Sequence, residues 1–322
     1  MTTISDEITV TVERVSYPAR NMGTTIVADL FKPVSAEAVR KYPAIVVTHP
    51  FGGVKEQTAG LYARRLAEQG FITLAYDASY QGDSGGEPRL LEVPAQRVDD
   101  ISCAIDFLVQ CTDVDEAGIG SLGVCSGGAY ALANAPTEMR VKAVASVSLF
   151  DLGDARRNAM GALSLDKRMR RLQQAAEQRS VEARGGAVQL VPVVPDTAEG
   201  LTDATPAMYR EGQEYYRTER GQHQNSVNRY MVSSLPLQMA FFPFSQIDTI
   251  APRPVLCIAG SKAETAFWSH DVMRLAQQPK ELFIVEGASH VDLYDKPEFV
   301  GQAVRKLSEF YGEHLAVQEI RG

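Results

Sequence analysis

Residues 120–130, GSLGVCSGGAY, decide the fold of this chain. The small and apolar residues from Ile119 to Val124 predict a short buried strand, and the small residues at 127–129 begin a helical pattern. Cys125 stands at the join, with a glycine two positions away on either side. This Gly-x-nucleophile-x-Gly spacing is typical of a sharp strand-to-helix turn that presents its central side chain to a substrate.

The thiol of Cys125 is the predicted nucleophile of this turn. If the turn were centred on Ser126 instead, the β-branched Val124 would stand where a small residue is needed. The following helix points its N-terminus at the sulfur, which favours thiolate over thiol and leaves the Ser126 amide free to donate to an oxyanion. The pattern therefore predicts acyl chemistry at Cys125.

The composition is that of an ordinary globular protein with a large core. The chain has 322 residues, 45% of them hydrophobic and 22% charged, and a formal net charge of -8. Such an acidic chain is unsuited to nucleic acid as its main partner, because phosphate binding needs a clustered basic face. No apolar run approaches the roughly 20 residues of a membrane span, and residues 1–10 lack a signal-peptide pattern, so we expect no membrane partner and a cytoplasmic location.

Strand-like and helix-like segments alternate along most of the chain. Glu7–Val15 and Thr24–Pro33 alternate apolar and polar residues, which predicts an antiparallel pair. Helical periodicity predicts helices within 55–69 and 96–110. Continuous apolar runs predict buried strands at Ala44–Thr48, Phe71–Tyr76, Val141–Phe150, Pro254–Ala259 and Glu281–Val285. We therefore expect an α/β fold with a mostly parallel sheet and a ligand site at the carboxyl ends of its strands.

The alternation stops between residues 151 and 250. This segment holds a polar run with several prolines and then many tyrosines and phenylalanines, among them Tyr215 and Phe241. We expect residues 1–150 and 251–322 to form the core and residues 151–250 to form a helical cap whose aromatic side chains wall the substrate pocket. The alternative is a peripheral segment or a dimer interface, so a homodimer stays open.

Three motifs in chain order resemble those of the α/β-hydrolase superfamily. They are residues 49–53 (HPFGG), the turn at Cys125, and residues 288–290 (ASH). A cysteine in the turn resembles the dienelactone-hydrolase-like branch of that superfamily. The resemblance implies an α/β-hydrolase fold, with a mostly parallel central sheet and helices on both faces. It also implies a nucleophile, an acid and a histidine in that order along the chain.

The resemblance extends to the histidine and to the oxyanion donors. It implies that His290, in the loop after the last core strand, is the general base. One oxyanion donor is then the Ser126 amide, and the other comes from the loop at residues 49–53. Pro50 has no N–H, so Phe51 is the expected donor, with Gly52 as the alternative and as part of the substrate pocket. His49 is expected to be structural.

The acid of the triad is the weakest match to the superfamily. A Gly-x-x-Asp turn usually follows the penultimate core strand, but here alanine stands at the expected position and Glu264 comes one residue later. Glu264 is the expected acid. Asp151 is the main alternative because some relatives take their acid from the earlier strand, and Asp154 is a third. A cysteine–histidine pair without an acid also stays open.

The sequence thus predicts a hydrolase that cleaves an ester, lactone or thioester of a small-molecule acyl substrate through a Cys-His-acid acyl-enzyme mechanism. An acyltransferase or thioesterase of polyketide or lipid metabolism would use the same residues, and a non-catalytic protein would keep the turn for packing alone. No metal or organic cofactor is called for, since the cysteines form no metal-type pair. Asp77 and Asp83, in a glycine-rich loop, are expected to serve as turn residues.

Overall fold

A computed structural model describes residues 8–20, 23–34, 41–161 and 163–315, and it places an eight-stranded sheet at the centre of the molecule. The sheet order is β1-β2-β4-β3-β5-β6-β9-β10. Strands β1 and β2 are antiparallel to each other, β2 is antiparallel to β4, and the remaining neighbours are parallel. The strands are β1 (Val10–Ala19), β2 (Thr24–Pro33), β3 (Tyr42–Thr48), β4 (Ile72–Tyr76), β5 (Val114–Val124), β6 (Val141–Val147), β9 (Val255–Gly260) and β10 (Lys280–Val285).

Helices cover both faces of this sheet, which is why its central strands are apolar on both sides. The packing of α1 against α10, and of α2 against α3, defines the two helical layers. No helix in the described ranges is long and apolar enough to cross a membrane. The helices are α1 (Gly60–Ala67), α2 (Pro94–Leu108), α3 (Ser126–Asn134), α4 (Leu152–Asn158), α5 (Leu165–Ala183), α6 (Ala207–Arg217), α7 (Leu235–Met239), α8 (Ala266–Leu275), α9 (Asp292–Asp295) and α10 (Pro297–His314).

The fold class predicted from the sequence is confirmed. Each core strand lies where an apolar run predicts one, and the strand that leads to Cys125 extends further towards the N-terminus than expected, from Val114 to Val124. The helix predicted within residues 55–69 begins with a π-helical turn, Lys55–Ala59, before α1. The predicted start of the first strand, Glu7, lies outside the described residues.

Residues 151–250 contain α4 to α7 and a small second sheet. Its two antiparallel strands, β7 (Leu190–Pro192) and β8 (Arg229–Met231), pair far from each other in sequence and are not predicted by the alternation of residue types. The division into a core and a cap stays a prediction, and residues 1–7, 21–22, 35–40, 162 and 316–322 of that division lie outside the described part of the chain.

A buried lysine fixes the segment that follows the loop at residues 49–53. The side chain of Lys55 is fully buried, and its Nζ lies 2.8 Å from Asp77 and from Asp83 and 2.6 Å from Glu56. The Lys55 amide also donates to Asp77. These three carboxylates are close enough to hold a metal ion, but the ammonium group of Lys55 contacts all of them. The cluster therefore ties the start of the π-helical turn to the end of β4.

Charge balance explains how this lysine stays ionised. Burial alone disfavours the ammonium form, but the charge of the Asp77 carboxylate and the hydrogen bonds that the ammonium donates to all three acids raise the pKa of Lys55. Burial also raises the pKa of Asp77, against the attraction of Lys55. Each charge of the pair is therefore stabilised chiefly by the other, and removal of one leaves an unpaired charge in the interior.

We predict that Lys55→Met lowers the free energy of unfolding by about 3–5 kcal/mol, because Asp77 is then left buried without its counter-charge. Chemical denaturation followed by circular dichroism measures this change. Lys306→Met is the control, since it removes a partly exposed pair with Glu281 and should cost no more than about 1 kcal/mol. Equal losses in the two variants would contradict a special role for the buried cluster.

Candidate active site

The turn at Cys125 is sharp because three backbone segments meet there without side chains between them. Cys125 has φ 58° and ψ -125°, a conformation that residues other than glycine rarely adopt. A Cβ atom on Gly123 would lie 2.0 Å from the carbonyl oxygen of Gly127, and one on Gly127 would lie 2.2 Å from that of Thr48. The two glycines of the motif are therefore required by close backbone contact, which holds Cys125 at the end of β5.

Cys125 opens into a mostly apolar cavity at the carboxyl end of the sheet. More than half of the lining residues come from the segment 151–250, which therefore lies over the sulfur. The guanidinium of Arg156 lies over the rings of Phe51 and Tyr230, at 5.1 and 4.7 Å from their centres. The lining residues are Phe51, Cys125, Phe150, Arg156, Val193, Val194, Met208, Tyr209, Gly212, Tyr216, Val291 and Tyr294.

The side chain of Cys125 is a neutral thiol in the resting site. Burial raises the pKa of Cys125 to about 11, although interactions with Tyr294 and with the amide and hydroxyl of Ser126 act in the opposite direction. The amide at the N-terminus of α3 favours the thiolate, as expected from the sequence, but it does not determine the protonation state of the resting site. The desolvation of the sulfur outweighs the partial charge of the helix end, because the thiolate would lose most of its hydration.

His290 is also neutral at rest, since burial lowers its pKa to about 3. Its Nδ1 lies 2.6 Å from the hydroxyl of Thr265, and its Nε2 lies 3.2 Å from the hydroxyl of Tyr294. Within residues 41–161 and 163–315, no carboxylate hydrogen-bonds to the imidazole. We assign the Nδ1 proton to the bond with Thr265, which leaves the lone pair of Nε2 facing Tyr294.

The structure does not bring any of the three candidate acids to His290. Glu264 is exposed, and its carboxylate accepts a hydrogen bond from the amide of Ala207 at 3.0 Å. Asp151 caps α4 through the amide of Asp154 at 2.9 Å, and burial raises the pKa of Asp151 to about 6.

The third candidate, Asp154, accepts a hydrogen bond from Trp268 at 3.0 Å. Thr265, next to Glu264, is buried and supplies the hydroxyl that contacts the imidazole. At the entry to α8 the chain turns Thr265 inward and Glu264 outward. Thr265 is missed when only carboxylates are considered at this position of the sequence. Thr265 directly follows Glu264, the expected acid, and this adjacency is the signal that could have identified it.

The two amides predicted to hold an oxyanion, those of Ser126 and Phe51, are linked through the side chain of Ser126. The Ser126 amide interacts with the sulfur directly. The Phe51 amide donates to the hydroxyl of Ser126 at 2.6 Å, so in the resting site its donor is occupied. Their role in catalysis stays a prediction, but both amides are within the site.

His49 is held as a structural residue on the other side of the Phe51 loop. It is fully buried, its Nδ1 donates to the carbonyl of Pro50 at 2.7 Å, and its Nε2 accepts from the amide of Ala78 at 3.1 Å. Burial and the neighbouring charge of Arg97 hold its pKa well below the usual range. Both ring nitrogens are occupied, in agreement with the structural role expected from the sequence.

Two of the residues predicted to line the pocket lie away from it. The carbonyl of Gly52 accepts a hydrogen bond from Ser226 at 2.8 Å, so this residue ties the segment 151–250 to the loop at residues 49–53. Phe241 is not among the residues that line the cavity and packs against the ring of Tyr130, with 5.4 Å between the ring centres. Sequence position alone cannot show which face of an irregular segment points inward.

The third predicted pocket residue, Tyr215, lies one layer behind the cavity. Its ring packs edge-on against those of Tyr216 and Tyr294, at 4.9 and 5.2 Å between centres. Tyr216 faces the cavity in its place. Consecutive residues on a helix point about 100° apart, so an error of one position in the phase of α6 exchanges the two tyrosines.

Comparison with known proteins identifies the family. A model of the dienelactone hydrolase family matches residues 26–148. The uncharacterized protein YcjY of Escherichia coli (strain K12) is 37% identical over 306 residues, which are 94% of this chain and 99% of that protein. The chain belongs to the dienelactone hydrolase family. The prediction from the three sequence motifs is thereby confirmed.

A solved structure supports the same conclusion for the fold. The crystal structure of hypothetical protein PA2218 from Pseudomonas aeruginosa has a TM-score of 0.88 and 35% identity, and the match covers 97% of this chain and 96% of that one. A more distant relative, the polyketide transferase claH of Penicillium crustosum, is 26% identical over 87% of this chain and 90% of its own length. This dienelactone hydrolase family member is thus an α/β-hydrolase enzyme.

We predict that Cys125 shows no thiolate from about pH 5 to about pH 8, because its raised pKa keeps the proton on sulfur throughout that range. The measurement is the ultraviolet absorbance of the thiolate, taken as the difference between the wild-type protein and Cys125→Ser during a pH titration. Thiolate absorbance that develops below neutral pH would instead reveal a stable ion pair with His290.

We predict that Thr265→Val lowers kcat by about 10-fold to 100-fold, because the imidazole then loses the partner that orients its Nδ1. Steady-state kinetics with a cleavable ester measures the change. Thr265→Ser keeps the hydroxyl and should stay near the wild-type rate, as should Glu264→Gln. A large loss in Glu264→Gln together with an active Thr265→Val would restore the acid expected from the sequence.

Proposed function

We propose that this enzyme hydrolyses an ester, lactone or thioester through an acyl-enzyme intermediate on Cys125. The observation that carries the proposal is the position of Cys125, which lines a mostly apolar cavity next to the Ser126 amide, with the Phe51 amide hydrogen-bonded to the Ser126 hydroxyl. A nucleophile beside two fixed N–H donors is the arrangement that stabilises a tetrahedral acyl intermediate. Packing alone would not require a strained backbone at a residue that opens into a cavity.

The proposed reaction has two stages. In the first, the sulfur attacks the acyl carbonyl while its proton moves towards His290, and the amides of Ser126 and Phe51 bind the oxyanion. The imidazolium then returns the proton to the leaving alcohol or thiol. In the second, His290 takes a proton from water as the water attacks the thioester carbonyl; the C–S bond then breaks, the acid is released, and the imidazolium returns its proton to the sulfur.

The mostly apolar lining of the cavity favours a largely apolar acyl group. Its walls include Phe150, Val193, Met208 and Tyr216. Thiolate leaves a tetrahedral intermediate more readily than an amine does, so esters and thioesters are better substrates for this site than amides. We propose that residues 151–250 act as the cap that excludes bulk water from the acyl-enzyme, because they supply most of the cavity wall.

Acyl transfer to an acceptor other than water is the second candidate. The distant relative claH is named a polyketide transferase, and a covered apolar cavity would protect an acyl-enzyme from hydrolysis. The two candidates differ only in the species that attacks the Cys125 thioester. Product analysis with an alcohol or amine present separates them, since transfer gives the acylated acceptor and hydrolysis gives the free acid.

We predict that Cys125→Ala abolishes turnover of whichever ester, lactone or thioester a substrate panel identifies. The panel consists of p-nitrophenyl esters of increasing chain length, simple lactones and acyl thioesters of N-acetylcysteamine. Cys125→Ser should be poorly active, because a serine hydroxyl needs a stronger base than this site provides. Intact-mass spectrometry should detect an acyl adduct on the wild-type protein only.

Ser126→Ala is the matched control for this experiment. It keeps the backbone amide that is proposed to bind the oxyanion and removes only the neighbouring hydroxyl, so it should retain most of the activity. Undiminished turnover in Cys125→Ala, or an acyl adduct that maps to another residue, would overturn the assignment of the nucleophile.

A further inference from the structure

The nucleophile and the base of this site do not meet directly. The Nε2 atom of His290 hydrogen-bonds to the hydroxyl of Tyr294 at 3.2 Å. The same hydroxyl also interacts with the side chain of Cys125, and both residues line the cavity. In the described part of the chain, no hydrogen bond joins the imidazole to the thiol. Tyr294 is therefore in contact with both of the groups that have to exchange a proton.

The position of Tyr294 is fixed by its surroundings. It lies in α9, the single turn that follows His290, and it is 3% exposed. Its ring packs edge-on against Tyr215 at 5.2 Å, and the carbonyl of the preceding residue, Leu293, accepts a hydrogen bond from the hydroxyl of Tyr62 at 2.8 Å. These contacts hold the buried side chain of Tyr294 in the position from which its hydroxyl reaches the imidazole.

We propose that the Tyr294 hydroxyl is a catalytic proton relay between Cys125 and His290. The inference rests on the function proposed above and adds a residue to its chemistry. As sulfur attacks the acyl carbon, the S–H proton passes to the Tyr294 oxygen and the Tyr294 proton passes to Nε2. The S–C bond forms with the electron pair of the S–H bond, and the carbonyl π electrons become the oxyanion. Tyr294 ends the step as a neutral phenol.

The return path uses the same groups in the opposite direction. The imidazolium gives its proton to Tyr294, and the Tyr294 proton goes to the leaving alcohol or thiol as the tetrahedral intermediate collapses. No oxidant or metal is needed, and proton number is conserved at each step. Burial raises the pKa of Tyr294 well above its usual value, so the two transfers have to be concerted, because a free tyrosinate in this site would be costly.

The test is pre-steady-state acylation by p-nitrophenyl acetate, read as the burst of p-nitrophenolate. Tyr294→Phe removes the hydroxyl and keeps the ring, so the acylation rate constant should fall by about 10²-fold or more while KM changes little. Tyr311→Phe is the matched control. It removes a different buried tyrosine hydroxyl, which lies in α10 and donates to the carbonyl of Ser121 at 2.7 Å, and it should acylate at nearly the wild-type rate. If Tyr294→Phe acylates as fast as the wild-type enzyme, or faster, the Tyr294 hydroxyl takes no part in the proton transfer and the proposed relay is wrong.

A second measurement needs no variant of Tyr294. The acylation rate of the wild-type enzyme in mixtures of H2O and D2O should curve downward below a straight line, because two protons move in one step. A linear dependence would mean that a single proton moves, which overturns the relay. Cys125→Ala separates the two hypotheses: turnover without Cys125 disproves the proposed function, whereas turnover that needs Cys125 but not the Tyr294 hydroxyl disproves the relay alone.

Discussion

The rest of the site depends on the contact between backbones at the turn that carries Cys125. The end of β3, the end of β5 and the start of α3 approach so closely that a single methyl group at Gly127 would collide with the carbonyl of Thr48. This contact brings the loop after β3, with Phe51, to the residue after the nucleophile. The two backbone donors are thus placed by main-chain packing, which tolerates far less adjustment than side-chain rotamers do.

Burial, more than charge pairing, governs the electrostatics around this turn. Cys125 and His290 are each driven to their neutral forms by desolvation, and neither has a carboxylate hydrogen-bonded to it among the described residues. A hydroxyl, that of Thr265, occupies the orienting position. This hydroxyl can orient the imidazole but cannot neutralise the charge of an imidazolium. Protonation of His290 is therefore favoured only while the negative charge of an oxyanion is nearby. The buried side chain of Lys55 differs from Cys125 and His290 in this respect, because three carboxylates contact its ammonium group and stabilise its charge.

The sequence predicts those parts of the molecule that local rules determine. The pattern of apolar and polar residues predicts where the strands lie along the chain. The glycines around Cys125 predict the sharp turn, because close backbone contact excludes larger residues at those positions. The loop with Phe51 and the histidine at 290 follow from the same order of motifs. Each of these features depends on a short stretch of sequence with a steric requirement of its own.

The remaining features depend on three-dimensional placement that no short stretch encodes. Whether Tyr215 or Tyr216 reaches the cavity is a question of helix phase, and whether residue 264 or 265 turns inward depends on how the chain enters α8. Tyr294 gains its position only because the turn after His290 folds back over the sulfur. The protonation state of Cys125 depends on its burial by segments that are distant in the sequence. Burial removes the hydration of a thiolate, and the amide at the end of the helix does not compensate for that loss.

The hydroxyl of Ser126 has a consequence for selectivity. In the resting site it accepts the hydrogen bond of the Phe51 amide, a donor that would otherwise be buried without a partner at a cost of about 1–3 kcal/mol. A neutral substrate carbonyl is no better as an acceptor than this hydroxyl and gains little by displacing it. An oxyanion is a much stronger acceptor, because charged hydrogen bonds are roughly twice as strong as neutral ones. In the proposed mechanism, the Ser126 hydroxyl therefore competes with the substrate for the Phe51 amide. The oxyanion of the transition state displaces this hydroxyl more readily than the neutral carbonyl of the substrate does, so the amide stabilises the transition state more than the bound substrate.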